Sequence, residues 1–552
     1  MEPERNAGWY VAATLAALLG LGLTADSALR SSATYDEVAY LRVGATWWRT
    51  GDQRAMTRMG SPLTFWKWQQ APVLWAIDRA GFPELIDDPI ANQRALLPLI
   101  RLGALHVWVL ALALTATWAR LRYGPRAMAM AAAVFAMSPN LIGHGALATM
   151  ELPLSACAAA AFLLFWRFLR DGRVTPFLGA AAVSGLAYSC KFTAILFPPI
   201  LGLAWMIDRL RLGERRPLRG LVRVGLGTAA FSALMLLADL VVTGFATLPI
   251  SERTGDHPAV AGRLGAGLDR LVSRAIETPI PCDLVGFAVQ LGHQKRGGMS
   301  YLLGERRAWG WRHYYLVTLA VKVPLAFGFL LACRAACRRR GPPVAGDALI
   351  PTFLVAFLAI ASIASTRNYG LRYLLPMAPA AIVWVSALAE RGPWSHRSAL
   401  AGLAGMALAL GMIHPHELSY FNLLGGGPVG GRRILSDSCL DWGQGARSLA
   451  RLQEQRPEFR DLTFYAFGDT DTDPGAYGVV GRRIVVDAGT VHPDLPPAFS
   501  AATRYVAVSA SLQWGPWGPS GYFRALDGVE PVALTDDFTI AVYRTADLKR
   551  FP

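Results

Sequence analysis

Charge is scarce in this chain: 17% of its 552 residues are charged, against 53% hydrophobic, with a mean hydropathy of +0.32. That balance excludes an ordinary soluble surface and points to a polytopic membrane protein. Lysine is scarcer still, with five residues among the 54 basic ones. Cysteine is limited to six, which excludes a disulfide scaffold, and no Cys/His spacing resembles a zinc site. Walker A, Gly-x-Ser-x-Gly and His-Glu-x-x-His motifs are missing, as are an internal repeat, a heptad pattern and a low-complexity tract. Nothing here announces a nucleotide fold, a serine hydrolase or a zinc protease.

Hydrophobic segments fill most of residues 9–413. About eleven spans are expected, near 9–25, 97–118, 125–140, 151–169, 176–190, 193–207, 224–246, 314–333, 348–364, 372–389 and 398–413. The pair around Lys191 has an alternative reading as one bent or re-entrant element. Arginines cluster in alternate short loops, including Arg120, Arg122 and Arg126, Arg209 to Arg223, and Arg334 to Arg340. The positive-inside rule then puts the N-terminus in the cytoplasm. The formal charge of +15 is largely this orientation signal, so nucleic-acid binding is set aside. Met1–Ala7 has mixed charge and the first span lacks a small-residue cleavage site, so that span reads as an anchor.

The opposite face holds the loops 26–96, 141–150 and 247–313, and a tail, 414–552. The expected division is a transmembrane catalytic domain, 1–413, and an extracytoplasmic α/β domain, 414–552, large enough to bury a core. The tail has β-rich runs at Leu462–Phe467, Arg483–Val486, Tyr505–Ser509 and Thr539–Tyr543, and a helix near Gln444–Gln455. Cys282 and Cys439 are the two cysteines in outer segments, where oxidation is possible; their pairing stays open.

The candidate chemistry gathers on that outer face. Asp36-Glu37 opens a predicted helix running along Val38, Leu41, Ala45 and Trp48. A carboxylate there is either a general base or, with Thr34 as the alternative cap, an N-terminal cap. Glu151, the one carboxylate between Asp88 and Asp171, opens the fourth span after His144; acids at a membrane edge are often functional. Lys191, Lys322 and Arg372 sit near outer span ends and suit an anionic lipid head group, with snorkelling as the other reading for Lys322. His293 and Tyr301 lie in the third outer loop. Gly425–Gly427 with Gly430-Gly431 reads as a linker.

Tyr35-Asp36-Glu37, Ser138-Pro139-Asn140 through His144 to Glu151-Leu152-Pro153, and Lys191-Phe192 form an ordered set. Ser300-Tyr301-Leu302-Leu303-Gly304, Lys322-Val323-Pro324, Arg372-Tyr373-Leu374-Leu375-Pro376, Tyr420-Phe421-Asn422 and Asp437 through Gln444 extend it over nearly the whole chain. On these motifs the chain resembles polyprenyl-phosphate-sugar-dependent glycosyltransferases of the GT-C superfamily. It is most similar to bacterial family 39 members, relatives of the protein O-mannosyltransferases and aminoarabinose transferases. The resemblance implies a multi-pass protein of the bacterial inner membrane, with the tail outside. It implies transfer of a sugar, with inversion, from a polyprenyl-phosphate carrier to a hydroxyl on a glycan, lipid or protein.

By resemblance Asp36 is the base, with Glu37 beside it. Glu151 stands where relatives often carry Asp, Lys191, Lys322 and Arg372 bind the donor phosphate, and His144, His293 and Tyr301 are substrate contacts. Some superfamily members hold a divalent metal between such acids and others do not, so the cofactor stays open. A lipid-linked sugar flippase and a non-catalytic envelope assembly protein are the competing classes. A flippase would more often show mid-membrane polar groups and repeat symmetry, and a scaffold would need no aligned acids and cations.

Overall fold

Each of the expected hydrophobic segments falls on helix in the computed structural model, which describes residues 2–214, 216–253, 274–337, 342–468, 472–486, 499, 503–518 and 521–548. Among the described residues, six helices are long and apolar enough to cross a membrane, or eight if each of two bent pairs is one span. The shorter helices Val174–Cys190 and Leu349–Ala364, with Pro393–Gly411, fill the remaining expected positions. The chain is a multi-pass membrane protein with a helical body.

The bends have covalent causes. Pro125–Ala136 turns by 63° into Pro139–Gly145, with Pro139 opening the second piece. Tyr314–Lys322 turns by 107° into Leu325–Ala336 across Val323-Pro324; proline has no N–H to continue the ladder and pushes its predecessor into extended backbone. Around Lys191 the chain makes two elements. Val174–Cys190 ends, Lys191 is extended (φ −156°), and a 3₁₀ turn, Phe192–Leu196, leads into Phe197–Arg211.

Two short antiparallel pairs form, β1 (Thr247–Pro249) with β2 (Pro279–Pro281) and β3 (Ser300–Leu302) with β4 (Glu305–Arg307). The tail forms a five-stranded mixed sheet from β5 (Leu462–Phe467), β6 (Arg482–Val486), β7 (Tyr505–Ser509), β8 (Ala533–Leu534) and β9 (Ile540–Arg544), in the order β6-β5-β7-β9-β8. Strand β5 runs parallel to β6 and β7, and β9 antiparallel to β7 and β8. The expected strands and the helix, Ala446–Gln455, are all present; β8 was not foreseen.

The sheet's alternation gives it two apolar faces. Tyr465, Phe467, Val506, Val508 and Tyr543 pack with Leu512 and Phe523 in a core of the tail's own. Phe464, Ala507, Ile540 and Val542, with Leu449 of the helix, instead share a core with Val38, Leu41 and Trp66 of the segment 26–96. The tail therefore completes the loop that carries Asp36. Cys282 and Cys439 are buried free thiols, so the bridge between them does not form.

Candidate active site

The helix Tyr35–Thr50 begins at Thr34, whose extended backbone is its N-cap. Glu37, at the third position, closes the capping box: its Oε2 accepts from Thr34 N at 3.0 Å and Thr34 Oγ1 at 2.9 Å. The tail fixes the approach to this cap. Tyr35 N donates to Trp442 O at 2.8 Å, and Ser32 N and Oγ both donate to Gln444 O. Asp36 thus has no capping duty and turns elsewhere.

Its partner is Arg372, whose Nη1 donates to Asp36 Oδ2 at 2.5 Å. Tyr40, one turn along, donates to the same oxygen at 3.4 Å. The Arg372 guanidinium stacks 4.3 Å over Trp442, so the Asp437–Gln444 motif reaches the site through one indole. Gly370 allows this close approach. Its φ is +94°, and a Cβ there would lie 2.6 Å from Ser438 Oγ.

A second ion pair faces the first. Lys191 Nζ donates to Glu151 Oε1 at 3.0 Å and lies 4.4 Å from the centre of the Tyr373 ring. Glu151 opens the helix Glu151–Asp171, where the helix dipole favours an anion. Its Oε2 is buried without a hydrogen-bond partner among the described residues. Asp36, Tyr40, Glu151, Lys191, Gln290, Arg372 and Tyr373 are among the residues that line a cavity of about 100 Å³.

Other sequence candidates lie elsewhere. Glu37 is a correction. Both its oxygens are bound: Arg101 Nε and Nη2 reach them at 2.8 and 2.6 Å, and Ala148 N donates to Oε1 at 2.9 Å. Burial alone would raise its carboxyl, but the Arg101 charge and these hydrogen bonds hold it below the usual range. Glu37 ties the start of its own helix to the helix Gln93–Tyr123 and to Ala148, and it does not line the cavity.

Lys322 is a second correction: its ammonium donates to Leu418 O at 2.9 Å and Cys439 O at 2.5 Å, and sits 4.5 Å over Phe421. It fastens the start of the tail and neither snorkels nor lines the cavity. Tyr301 Oη donates to Arg433 O at 3.0 Å, pinning the β3–β4 hairpin. His293 lies one turn from Gln290 on the helix Cys282–Arg296. Burial, then Arg367 and Arg296, pulls it down to about 4, so it is neutral at pH 7. His144 is buried edge-on to Trp442, with Nδ1 unpartnered among the described residues.

Sequence reading missed Arg101, Tyr40, Tyr373 and Gln290. The first three left signals: an Arg inside an apolar helix, a Tyr four residues after Asp36, and a Tyr beside Arg372. Gln290 left none.

Among the described residues no group of three or more His, Cys, Asp or Glu side chains is placed to hold a metal ion. Asp36 and Glu151 are each matched by a cation instead, a donor set that does not fit a divalent ion.

The stretch Leu371–Met377 has two faces. Arg372 and Tyr373 line the polar cavity, while Leu371, Leu374, Leu375 and Met377 line a second, apolar cavity of about 560 Å³. The apolar cavity lies between the helices and is also bounded by Leu319, Phe327 and Leu354.

Residues 95–244 match the family model of dolichyl-phosphate-mannose-protein mannosyltransferases. The matched segment spans Arg101, Glu151 and Lys191, and it bears out the resemblance read from the sequence. A comparison with curated proteins finds no significant match. Among solved structures, the chain is similar to ArnT from Cupriavidus metallidurans bound to undecaprenyl phosphate. Identity is 15%, the TM-score is 0.49, and the match covers 99% of each chain. It is also similar to the oligosaccharyltransferase AglB from Archaeoglobus fulgidus, in complex with an inhibitory peptide and a dolichol-phosphate. There identity is 13%, the TM-score is 0.47, and coverage is 91% of this chain and 69% of that one.

Proposed function

We propose that this chain is an integral-membrane glycosyltransferase that moves a sugar from a polyprenyl-phosphate carrier to an acceptor hydroxyl, with inversion. The observation that carries the reading is the two-faced stretch Leu371–Met377. One short segment holds a phosphate-binding cation toward a carboxylate-lined polar cavity and leucines toward a large apolar one. A donor with a polar sugar-phosphate and a hydrocarbon tail matches both. The family match over residues 95–244 supports the same class.

The resting ion pairs suggest how the donor engages. Arg372 and Lys191 are each neutralised by a carboxylate. An incoming phosphate competes for both cations, and Arg372 is suited to hold it through several N–H groups. As Arg372 turns to the phosphate, Asp36 is released to accept a proton. The acceptor oxygen then forms its bond to the anomeric carbon as its proton passes to Asp36. The bond from that carbon to the phosphate oxygen breaks on the opposite face, and polyprenyl phosphate leaves with the electron pair. Lys191 and Arg372 stabilise the charge that develops there, a contribution typically of about 3–4 kcal/mol per donor. Glu151 orients Lys191.

In this reading residues 1–413 are the catalytic membrane domain and 414–552 an extracytoplasmic domain that holds the Asp36 loop in place. The N-terminus is cytoplasmic and the protein belongs to the bacterial inner membrane. The acceptor is a glycan, lipid or protein on the outer side. The test is transfer of labelled sugar from a polyprenyl-phosphate donor by the purified protein in nanodiscs. Transfer by wild type, lost in Asp36→Asn, supports the reading. Translocation of the lipid-linked sugar across vesicles without any transfer would replace it with a flippase.

A further inference from the structure

Behind the Lys191 wall lies a buried polar cluster that the proposed reaction does not use. Asp239, near the outer end of the helix Pro217–Val242, and Asp283, in the first turn of the helix Cys282–Arg296, are 2% and 3% exposed. Their carboxyl groups are within hydrogen-bonding reach of each other. Ser189 Oγ donates to Asp239 Oδ1 at 2.6 Å, and Thr64 Oγ1 lies 3.5 Å from Asp283 Oδ2. Ser189 is two residues before Lys191. Asp283 is two turns before Gln290, which lines the same cavity as Lys191. The two acids therefore join the helices that carry the two walls.

We propose that Asp239 and Asp283 share one proton and act as a positioning pair, fastening the Lys191 wall of the candidate site to the Gln290 wall. The inference rests on the donor-site reading of Lys191. Two buried carboxylates in contact cannot both ionise without strong repulsion, whereas a carboxylic acid donating to a carboxylate is a strong, directional bond. The titratable groups facing the pair are few. Lys67, from the helix Thr64–Arg79, has its ammonium 4.6 Å over the Trp47 ring, and burial pulls it down to about 8. Cys282 Sγ is 3.6 Å from Asp283 Oδ1, and the Tyr188 hydroxyl is buried without a hydrogen-bond partner among the described residues. No arginine contacts either acid among the described residues. Burial, then the Asp239 charge, pushes the Asp283 carboxyl well above its usual range, the direction that keeps one proton on the pair at neutral pH.

Loss of that proton as pH rises would part the two helices and loosen Lys191. The experiment combines infrared spectroscopy with donor kinetics in wild type, Asp283→Asn, Asp239→Asn, Asp283→Ala and Lys67→Met. Wild type should show a carboxylic-acid carbonyl band at neutral pH that both Asn variants lose. The wild-type KM for donor should rise on the basic side. Asp283→Asn keeps a donor–acceptor pair that cannot lose its proton, so its KM should stay near wild type and lose the basic rise. Asp283→Ala should raise KM by about ten- to a hundredfold through misplacement of Lys191, with a smaller change in kcat.

Absence of the band in wild type overturns the shared proton. An unchanged KM in Asp283→Ala overturns the positioning role. A basic rise that survives Asp283→Asn and disappears in Lys67→Met assigns the titration to Lys67 and also overturns the proposal. If wild type transfers no sugar, the donor-site reading fails, and the infrared band still decides the shared proton.

Discussion

Arg372 Nη1 lies 2.5 Å from Asp36 Oδ2, joining two residues 336 positions apart in the chain. The pair sits where the helix Tyr35–Thr50, the stretch Leu371–Met377 and the tail meet, with Trp442 of the tail stacked on the guanidinium. A base held by a cation is a poor base. In the proposed reaction the donor phosphate claims Arg372 and so makes Asp36 reactive. Under that proposal, charge balance in the resting cavity couples donor binding to proton transfer.

Lys191→Ala and Arg372→Ala should weaken use of the lipid donor, each by about 1.5–3 kcal/mol if a charged hydrogen bond to phosphate is lost. Arg372→Lys should restore part of the loss, because charge is kept but the planar fork is not. Lys322→Ala should behave differently: two backbone carbonyls lose their donor, so thermal stability falls and the KM for donor stays near wild type. Donor titrations and melting curves on the four variants separate these outcomes.

Glu37→Ala should destabilise the fold by about 3–5 kcal/mol, because it strands the Arg101 guanidinium in a buried site. The ion pair also sets a pH dependence. The Glu37 carboxyl is lower in the folded state than in the unfolded chain. Its stabilisation is therefore complete above the unfolded value of roughly 4.3 and is lost as pH falls through the folded value. Melting of wild type and Glu37→Gln between neutral and acid pH should converge at the low end.

Much of this fold was legible in the sequence because bilayer spans and sheet strands depend on local pattern. Hydropathy located the helices, and apolar β-rich runs located β5, β6, β7 and β9. Pairings were not legible. Nothing local distinguishes Asp36 from Glu37. Only the fold shows that Glu37 meets Arg101 and Asp36 meets Arg372. Lys322 misled for the same reason: its carbonyl partners, Leu418 and Cys439, lie about a hundred residues away and carry no side-chain signal. Gln290 reached the cavity only through the packing of its helix.

Topology reporters inserted after Arg216 and after Gln455 should read cytoplasmic and extracytoplasmic, respectively. Arginine-rich loops alternate with the loops that carry the acids, and the Gln455 site belongs to the tail packed on the Asp36 loop. Matching signals at both sites would remove the orientation and put the candidate cavity on the wrong face for an extracytoplasmic acceptor.

The decisive measurement is sugar transfer by Asp36→Asn in nanodiscs, with donor binding measured on the same preparation. The capping box belongs to Thr34 and Glu37, so the substitution leaves the helix start intact and a loss of activity cannot be assigned to a lost cap. The amide cannot take the acceptor proton. Transfer should fall by roughly 10²–10⁴-fold, the usual cost of losing a general base, while the variant is inserted, folded and still binds donor. A variant that transfers sugar at the wild-type rate would contradict Asp36 as the base.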